Sequence, residues 1–262
     1  SNLKIFESKK NEIEKYKTIL IDETQDYQPE WIKIVREYFL EENGEMILFG
    51  DEKQNIYKRD LDAEKNFRSP NGFGSWQILN KSIRQKENSH ILTLANGFQK
   101  DFLINDYNID STQNNFTQQQ ITNLGLNKVL VYPERSYSEV VKTIYENIDE
   151  QNIHPNDVSI ISSEIKFMQE IDYIIRNETN HKTMVTFESK EQSEKLGNNL
   201  KAKKDLRRSK KVGFNLNPGL IKLSTTHSFK GFESPTLFLI ISKNDSDEMI
   251  YSAITRAKFN IM

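Results

Sequence analysis

Short apolar runs that end in polar turns alternate along the chain with stretches whose apolar residues recur every three or four positions. This alternation of strand-period and helix-period segments predicts an α/β architecture built on a mostly parallel sheet. Thr18-Ile19-Leu20-Ile21 reads as a strand that ends on carboxylates. Pro29 opens a helix with Trp31, Ile34, Val35, Tyr38 and Phe39 at one-face spacing. Met46-Ile47-Leu48-Phe49 is the next buried strand, ending at Gly50-Asp51. The glycine- and proline-bearing stretch over residues 60–76 reads as a loop and a domain junction.

In the second part, Ile91, Leu94, Ala95, Phe98 and Phe102 mark a helix. Residues 104–128 hold ten Asn or Gln without a clear period, which predicts a surface loop. Val129-Leu130-Val131 follows as a strand, and Ser136-x-x-Glu139 is a capping-box pattern ahead of Val140, Val141, Ile144, Tyr145 and Ile148. Strands at 158–161 and 183–187 flank a helix carrying Ile165, Met168, Ile171 and Ile175. Strands at 220–225 and 236–241 precede a last helix at roughly 247–258.

Composition narrows the setting. The 262 residues suffice for one large domain or a domain and a half. No apolar run approaches the length of a membrane span, and none at the N-terminus has the form of a signal peptide. The absence of cysteine excludes disulfides and thiolate metal sites and fits a reducing cytoplasm. A formal charge of −2 gives no global attraction to nucleic acid, so any such contact needs a local surface. The opening Ser1-Asn2 has the look of a scar left by tag removal, with the chain beginning inside a longer protein.

Two blocks carry chemistry in the first part. In Ile19-Leu20-Ile21-Asp22-Glu23-Thr24-Gln25-Asp26 a strand delivers two carboxylates to the sheet's carboxyl edge, where open α/β sheets bind ligands. There Asp22 suits a metal, and Glu23 suits orienting or deprotonating an attacking water. The second block is Phe49-Gly50-Asp51-Glu52-Lys53-Gln54-Asn55-Ile56-Tyr57. In order, spacing and letters, the pair resembles motifs II and III of UvrD/Rep-like superfamily 1 DNA helicases. The resemblance implies that Gln54 reads the γ-phosphate of ATP and couples it to DNA, with Tyr57 nearby. Arg59 stands where the family usually has an aromatic ring stacked on a base, and a planar guanidinium can stack there.

Three further blocks continue the resemblance. Leu79-Asn80-Lys81-Ser82-Ile83-Arg84 is similar to motif IV, with Arg84 as a donor fork to the γ-phosphate, although Ser82 and Ile83 replace the usual Asn-Tyr pair. Thr225-Thr226-His227-Ser228-Phe229-Lys230-Gly231-Phe232-Glu233 matches motif V at every fixed position. It implies that Glu233 meets the ribose and that Thr225 and His227 meet the DNA backbone. Tyr251-Ser252-Ala253-Ile254-Thr255-Arg256-Ala257 is similar to motif VI, with Arg256 as an arginine finger.

The resemblance implies a RecA-like, P-loop NTPase-type fold: residues 1–72 as the end of a first motor domain and 73–262 as most of a second. No G-x-x-x-x-G-K-[ST] phosphate loop occurs, since no two glycines are five apart and none precedes lysine. ATP and Mg2+ are therefore expected to be held mainly by a missing N-terminal part, leaving this chain inactive alone. Expected partners are single-stranded and duplex DNA and ATP, with a fused or partner nuclease possible in principle, no membrane, and a cytoplasmic location. A nucleotide-independent DNA-binding or regulatory module with relic motifs is the alternative, and a translocase that does not unwind is a third reading. The stretch from Lys195 to Lys211, with eight Lys or Arg and one acid, suits either a track for a phosphate backbone or a mobile solvated loop.

Overall fold

The computed structural model describes residues 3–59, 72–77, 79, 90–107, 128–130, 136–179, 181–214, 216 and 219–262. The chain divides into two compact units, residues 1–80 with 99–113, and residues 81–98 with 114–262. Both are α/β with parallel strand pairing. Among the described residues, no helix is long and apolar enough to cross a membrane.

The first unit contains α1 (Leu3–Ser8), β1 (Tyr16–Ile21), α2 (Pro29–Phe39) and β2 (Leu40–Leu48). Pro29 opens α2 because its missing N–H would have had no intrahelical partner there. Ile32 and Tyr38 are the buried residues of α2, and Phe6 of α1 packs on Tyr38 and Phe39, with ring centroids 5.5 and 6.0 Å away. Trp31, expected on the inner face, is 46% exposed and stands edge-on to Tyr27. β2 begins well before Met46, because Leu40 already pairs with Tyr16 and residues 41–44 bulge opposite Lys17 before Thr18 meets Glu45. Gly44 makes that bulge feasible, since a Cβ there would lie 2.9 Å from the Lys17 carbonyl.

The second unit runs α3 (His90–Phe98), α4 (Tyr137–Glu150), β3 (Val158–Ser162), α5 (Ile165–Glu178), β4 (Thr183–Val185), α6 (Lys190–Leu196), α7 (Leu200–Gly213), β5 (Ile221–Thr225), α8 (Thr226–Phe229), β6 (Ser234–Ile240), α9 (Asp247–Ile254) and β7 (Ala257–Ile261). Its five strands lie in the order β4-β5-β3-β6-β7, all parallel. Every residue of β3 is buried, the signature of a central parallel strand covered on both faces. Val140, Val141, Ile144 and Ile148 of α4 join Met168, Ile171 and Ile175 of α5 in a core with Ile160, Leu223 and Phe238 of the sheet. Each such side chain contributes about 1.5–3 kcal/mol relative to exposure. Ser136 caps α4 by accepting from the Glu139 N–H at 3.4 Å. Buried Asp172 ties α5 to its neighbours, accepting from the Thr183 hydroxyl at 2.5 Å and Arg176 Nε at 3.0 Å.

Four further expectations need correction. The last helix stops at Ile254 rather than near 258, and Ala257–Ile261 instead forms β7. Pairing of Ser234 with Ala257 and Leu237 with Ile261 outweighs the local helical period. Phe102 leaves the helical face because the chain passes into a π-helical turn at Gln99–Leu103, which leaves Phe102 52% exposed and buries Leu103. Val129 and Leu130 form no strand, although the Lys128 N–H reaches the Ile261 carbonyl at 3.2 Å, and Val131 lies outside the described residues. The Lys195–Lys211 stretch is not a loop: it spans the end of α6 and most of α7. Much of the expected loops at 60–76 and 104–128 also lies outside the described residues.

Candidate functional site

In the first unit the ends of β1 and β2 are stitched together. The Phe49 N–H donates to the Ile21 carbonyl at 2.8 Å, and the Thr24 N–H and hydroxyl both donate to the Phe49 carbonyl, at 2.8 and 2.6 Å. The acidic turn and the Gly50-Asp51 turn therefore leave the sheet side by side at its carboxyl edge. Asp22 is exposed there, with one oxygen accepting from the Glu23 N–H at 2.8 Å. Glu23 adopts a left-handed backbone, φ 53° and ψ 44°, which for a non-glycine residue costs about 1–3 kcal/mol and persists where the surroundings fix it.

Gln25 supplies the fixing contact and joins the two blocks. Its side chain is 1% exposed; its amide N–H donates to the Glu23 carboxylate, and its carbonyl accepts from the Asp51 N–H at 3.1 Å. Asp51 in turn accepts from the Lys53 N–H at 3.1 Å and from the Gln54 amide at 3.0 Å. Glu23 and Gln54, singled out separately in the sequence, thus become two ends of one hydrogen-bonded chain. Gly50 leaves room for it, since a Cβ would sit 3.0 Å from the Gln25 oxygen. Sequence reading gave Gln25 and Asp51 no role. The available signal was an amide two residues past the acidic pair, in a turn that has to be held to a second strand.

Tyr57 and Arg59 lie beside this turn. The Asn55 side chain clasps the Arg59 backbone through two hydrogen bonds of 2.8 Å. The Arg59 guanidinium carbon sits 5.8 Å from the Tyr57 ring centroid and 6.0 Å from that of Trp31, with Nη2 donating to the Asp26 carbonyl at 3.4 Å. Burial and Asp26 raise the Tyr57 hydroxyl above its usual range, with Arg59 opposing. The Arg59 guanidinium therefore already lies near two rings, within a cluster that keeps Tyr27, Trp31 and Tyr57 partly exposed.

In the second unit the strand register sorts the expected residues onto two edges of the sheet. Thr225 is level with Ser162 and Ile240 at the carboxyl ends of β5, β3 and β6. It is buried, and its hydroxyl caps α8 by accepting from the Ser228 N–H at 3.2 Å; His227 is half-buried on that helix. Glu233 and Arg256 fall at the opposite, amino edge, immediately before β6 and β7. There the Ser234 N–H donates to the Arg256 carbonyl at 3.0 Å. Glu233 pairs with Lys258 at 2.8 Å, and Arg256 is 3% exposed with Nε donating to the Ser252 carbonyl at 3.3 Å. Lys258 is a partner that sequence reading missed, because it was assigned to a helix rather than to a strand beside β6. Arg84 lies outside the described residues.

Among the described residues no three His, Asp or Glu side chains converge as a metal cage. One exposed carboxylate at a strand end, Asp22, could supply a single oxygen ligand to a magnesium ion.

Parallel strands that deliver carboxylates to one edge, linked to an amide on the adjacent turn, define a class of α/β proteins with a ligand site at the sheet's end. The comparison with protein families is more specific: residues 3–67 match the UvrD/REP helicase N-terminal domain. No curated protein matches the chain.

The bridge makes Gln25→Ala a sharp test of the unit's integrity. It takes the partner from the part-buried Asp51 N–H and a donor from the Glu23 carboxylate, so urea unfolding should show a loss of about 1 kcal/mol. An unchanged midpoint would mean that the Gln25 hydrogen bonds contribute nothing net.

Proposed function

We propose that this chain is part of an ATP-dependent DNA helicase or translocase, with the second unit as its second RecA-like motor domain. The observation that carries this reading is the hydrogen-bonded chain from Glu23 through Gln25 and Asp51 to Gln54, inside a segment that matches the UvrD/REP helicase N-terminal domain. It links the residue suited to activating water with one suited to sensing phosphate. A shift at one end is therefore transmitted to the turn that carries Tyr57.

In this reading Asp22 would hold a magnesium ion, which neutralises charge on the phosphate oxygens. Glu23 accepts the proton of the attacking water, and its fixed backbone keeps the carboxylate aimed. Gln54 suits the γ-phosphate in the first unit; in the second, Arg84 and Arg256 suit a phosphate group and Glu233 suits the ribose hydroxyls. Arg256 would leave its Ser252 contact to do so. Thr225 and His227 contact the DNA backbone from the opposite edge, while Tyr57 and Arg59 stack near a base. Placing nucleotide and DNA contacts on opposite edges suits a lever between the two ligands. The phosphate loop this chemistry requires would come from outside these 262 residues. The apolar side chains left open on β1 and β2, Leu20 at 62% and Ile47 at 41%, support a larger sheet, since parallel strands are normally covered on both faces.

A nucleotide-independent module is the second reading, favoured by the burial of Arg256 and the pairing of Glu233 with Lys258.

Two measurements follow. The chain as given should show no ATPase activity and only weak binding of a non-hydrolysable ATP analogue with magnesium in calorimetry, because affinity for triphosphate comes mainly from loop N–H groups and a lysine. Micromolar affinity would reveal a phosphate site elsewhere and end this assignment. In a longer form that includes a phosphate loop, Glu23→Gln should abolish hydrolysis while nucleotide affinity stays intact. Retained turnover would remove Glu23 from the chemistry.

A further inference from the structure

The helix α7 carries seven cations and one acid in fourteen residues. Its inner face is fixed. Arg207 donates to both oxygens of buried Glu188, through Nε and Nη2 at 2.6 Å each. Burial would raise the Glu188 carboxyl, but the hydrogen bonds from Arg207 hold it below its ordinary range. Lys203 donates to the Ser193 hydroxyl of α6 at 3.0 Å, and half-buried Lys210 faces Asp172, Arg176, Glu188 and Glu191. At its end, Phe214 packs edge-on against Phe229 and Phe232, with centroids 6.3 and 5.4 Å away. The helix is thereby locked to the segment that carries Thr225 and His227.

The outer face is different. Lys201, Lys204, Arg208 and Lys211 are all exposed, and none is ion-paired to a described residue. At 100° per residue they fall within a sector of about 80°, and at 1.5 Å per residue they span about 15 Å. Asp205 is the only acid in α7, and no acid occupies its first turn, where the helix dipole would favour one. Ordinary solvated helices intersperse both signs at i,i+4; concentrating one sign costs stability. Exposed Asp205, one turn from Lys201, is the sole counter-charge in α7 beside this row, so the face presents net positive charge and suits an anionic partner.

We propose that Lys201, Lys204, Arg208 and Lys211 form a docking stripe for the phosphate backbone of double-stranded DNA. A duplex presents one phosphate per about 3.4 Å along each strand, so 15 Å of helix faces about four phosphates. The exposed outer face of α7 carries no aromatic ring on which a single strand could stack its bases, so the stripe reads backbone alone. The proposal rests on the reading of the chain as part of a DNA motor: the stripe holds duplex while Thr225 and His227 serve the strand.

The test is fluorescence anisotropy of the full 262-residue chain with a labelled 20-base-pair duplex and a matching single strand, across a salt series. Replacing all four residues by Gln should weaken duplex binding more than tenfold. It should also reduce the slope of log affinity against log salt by about 3–4, near 0.9 for each phosphate no longer neutralised. Single-strand affinity should change little. A control replacing exposed Lys4, Lys9, Lys10 and Lys15 carries the same change in net charge and should leave the slope intact. The pair Lys201→Gln/Lys211→Gln, expected to give about half the slope change, keeps the test valid if the fourfold variant melts.

An unchanged slope in the fourfold variant, or an equal weakening in the charge control, overturns the stripe. So does an equal weakening of single-strand binding, or an effect seen only with a polyglutamate peptide, which would indicate an acidic protein partner. His227→Ala separates this from the wider reading. If that variant leaves single-strand binding intact while the fourfold variant no longer holds the duplex, the motif V strand contact fails and the stripe stands.

Discussion

Parallel pairing is the constraint on which everything else depends. It sends the carboxyl ends of all strands in a sheet to one edge and requires both faces to be covered. In the second unit α4 and α5 cover one face of a sheet centred on β3, where no residue is exposed. The same rule places Thr225 level with Ser162 and Ile240, and sends Glu233 and Arg256 to the other edge. In the first unit it sets the Asp22-Glu23 turn beside Gly50-Asp51, close enough for one buried glutamine to span them. The chemistry-bearing residues are thus placed by sheet register rather than by their distance in sequence.

Much of this was legible in the sequence, and the failures share a cause. Strands and helices with their own strong period, such as β3, α4 and α5, fell where the pattern put them, because burial and periodicity agree there. β7 was misread because Ala257–Ile261 carries no strong alternation and becomes a strand through its pairing with β6. The N-terminal part of β2 was missed because Leu40 pairs with Tyr16 across a bulge at residues 41–44, a long-range event. Trp31 was misjudged because helical spacing marks a face without revealing which neighbour covers it.

The candidate site residues divide in the same way. Asp22, Glu23, Gln54, Glu233 and Arg256 could be named from their letters and order, but their partners could not. Gln25 as the bridge, Lys258 as the counter-ion of Glu233, and the Glu188–Arg207 pair that orients α7 all depend on contacts between segments distant in sequence. The basic stretch is the clearest case. Composition allowed a loop or a track, and the fold makes it a helix with one face tethered and the other free of ion pairs to described residues.

The central claim is that the chain supplies the water-activating and phosphate-sensing groups of a DNA-driven ATPase. Arg256 decides it most directly, because in this structure its side chain is buried with Nε donating to the Ser252 carbonyl of the preceding helix α9, where a relic would also leave it. The measurement is DNA-stimulated ATP turnover in a form that includes a phosphate loop, with and without Arg256→Ala. The account predicts turnover lower by about 10³-fold, the usual worth of an arginine finger, with DNA affinity retained. Near-normal turnover in the variant would contradict it.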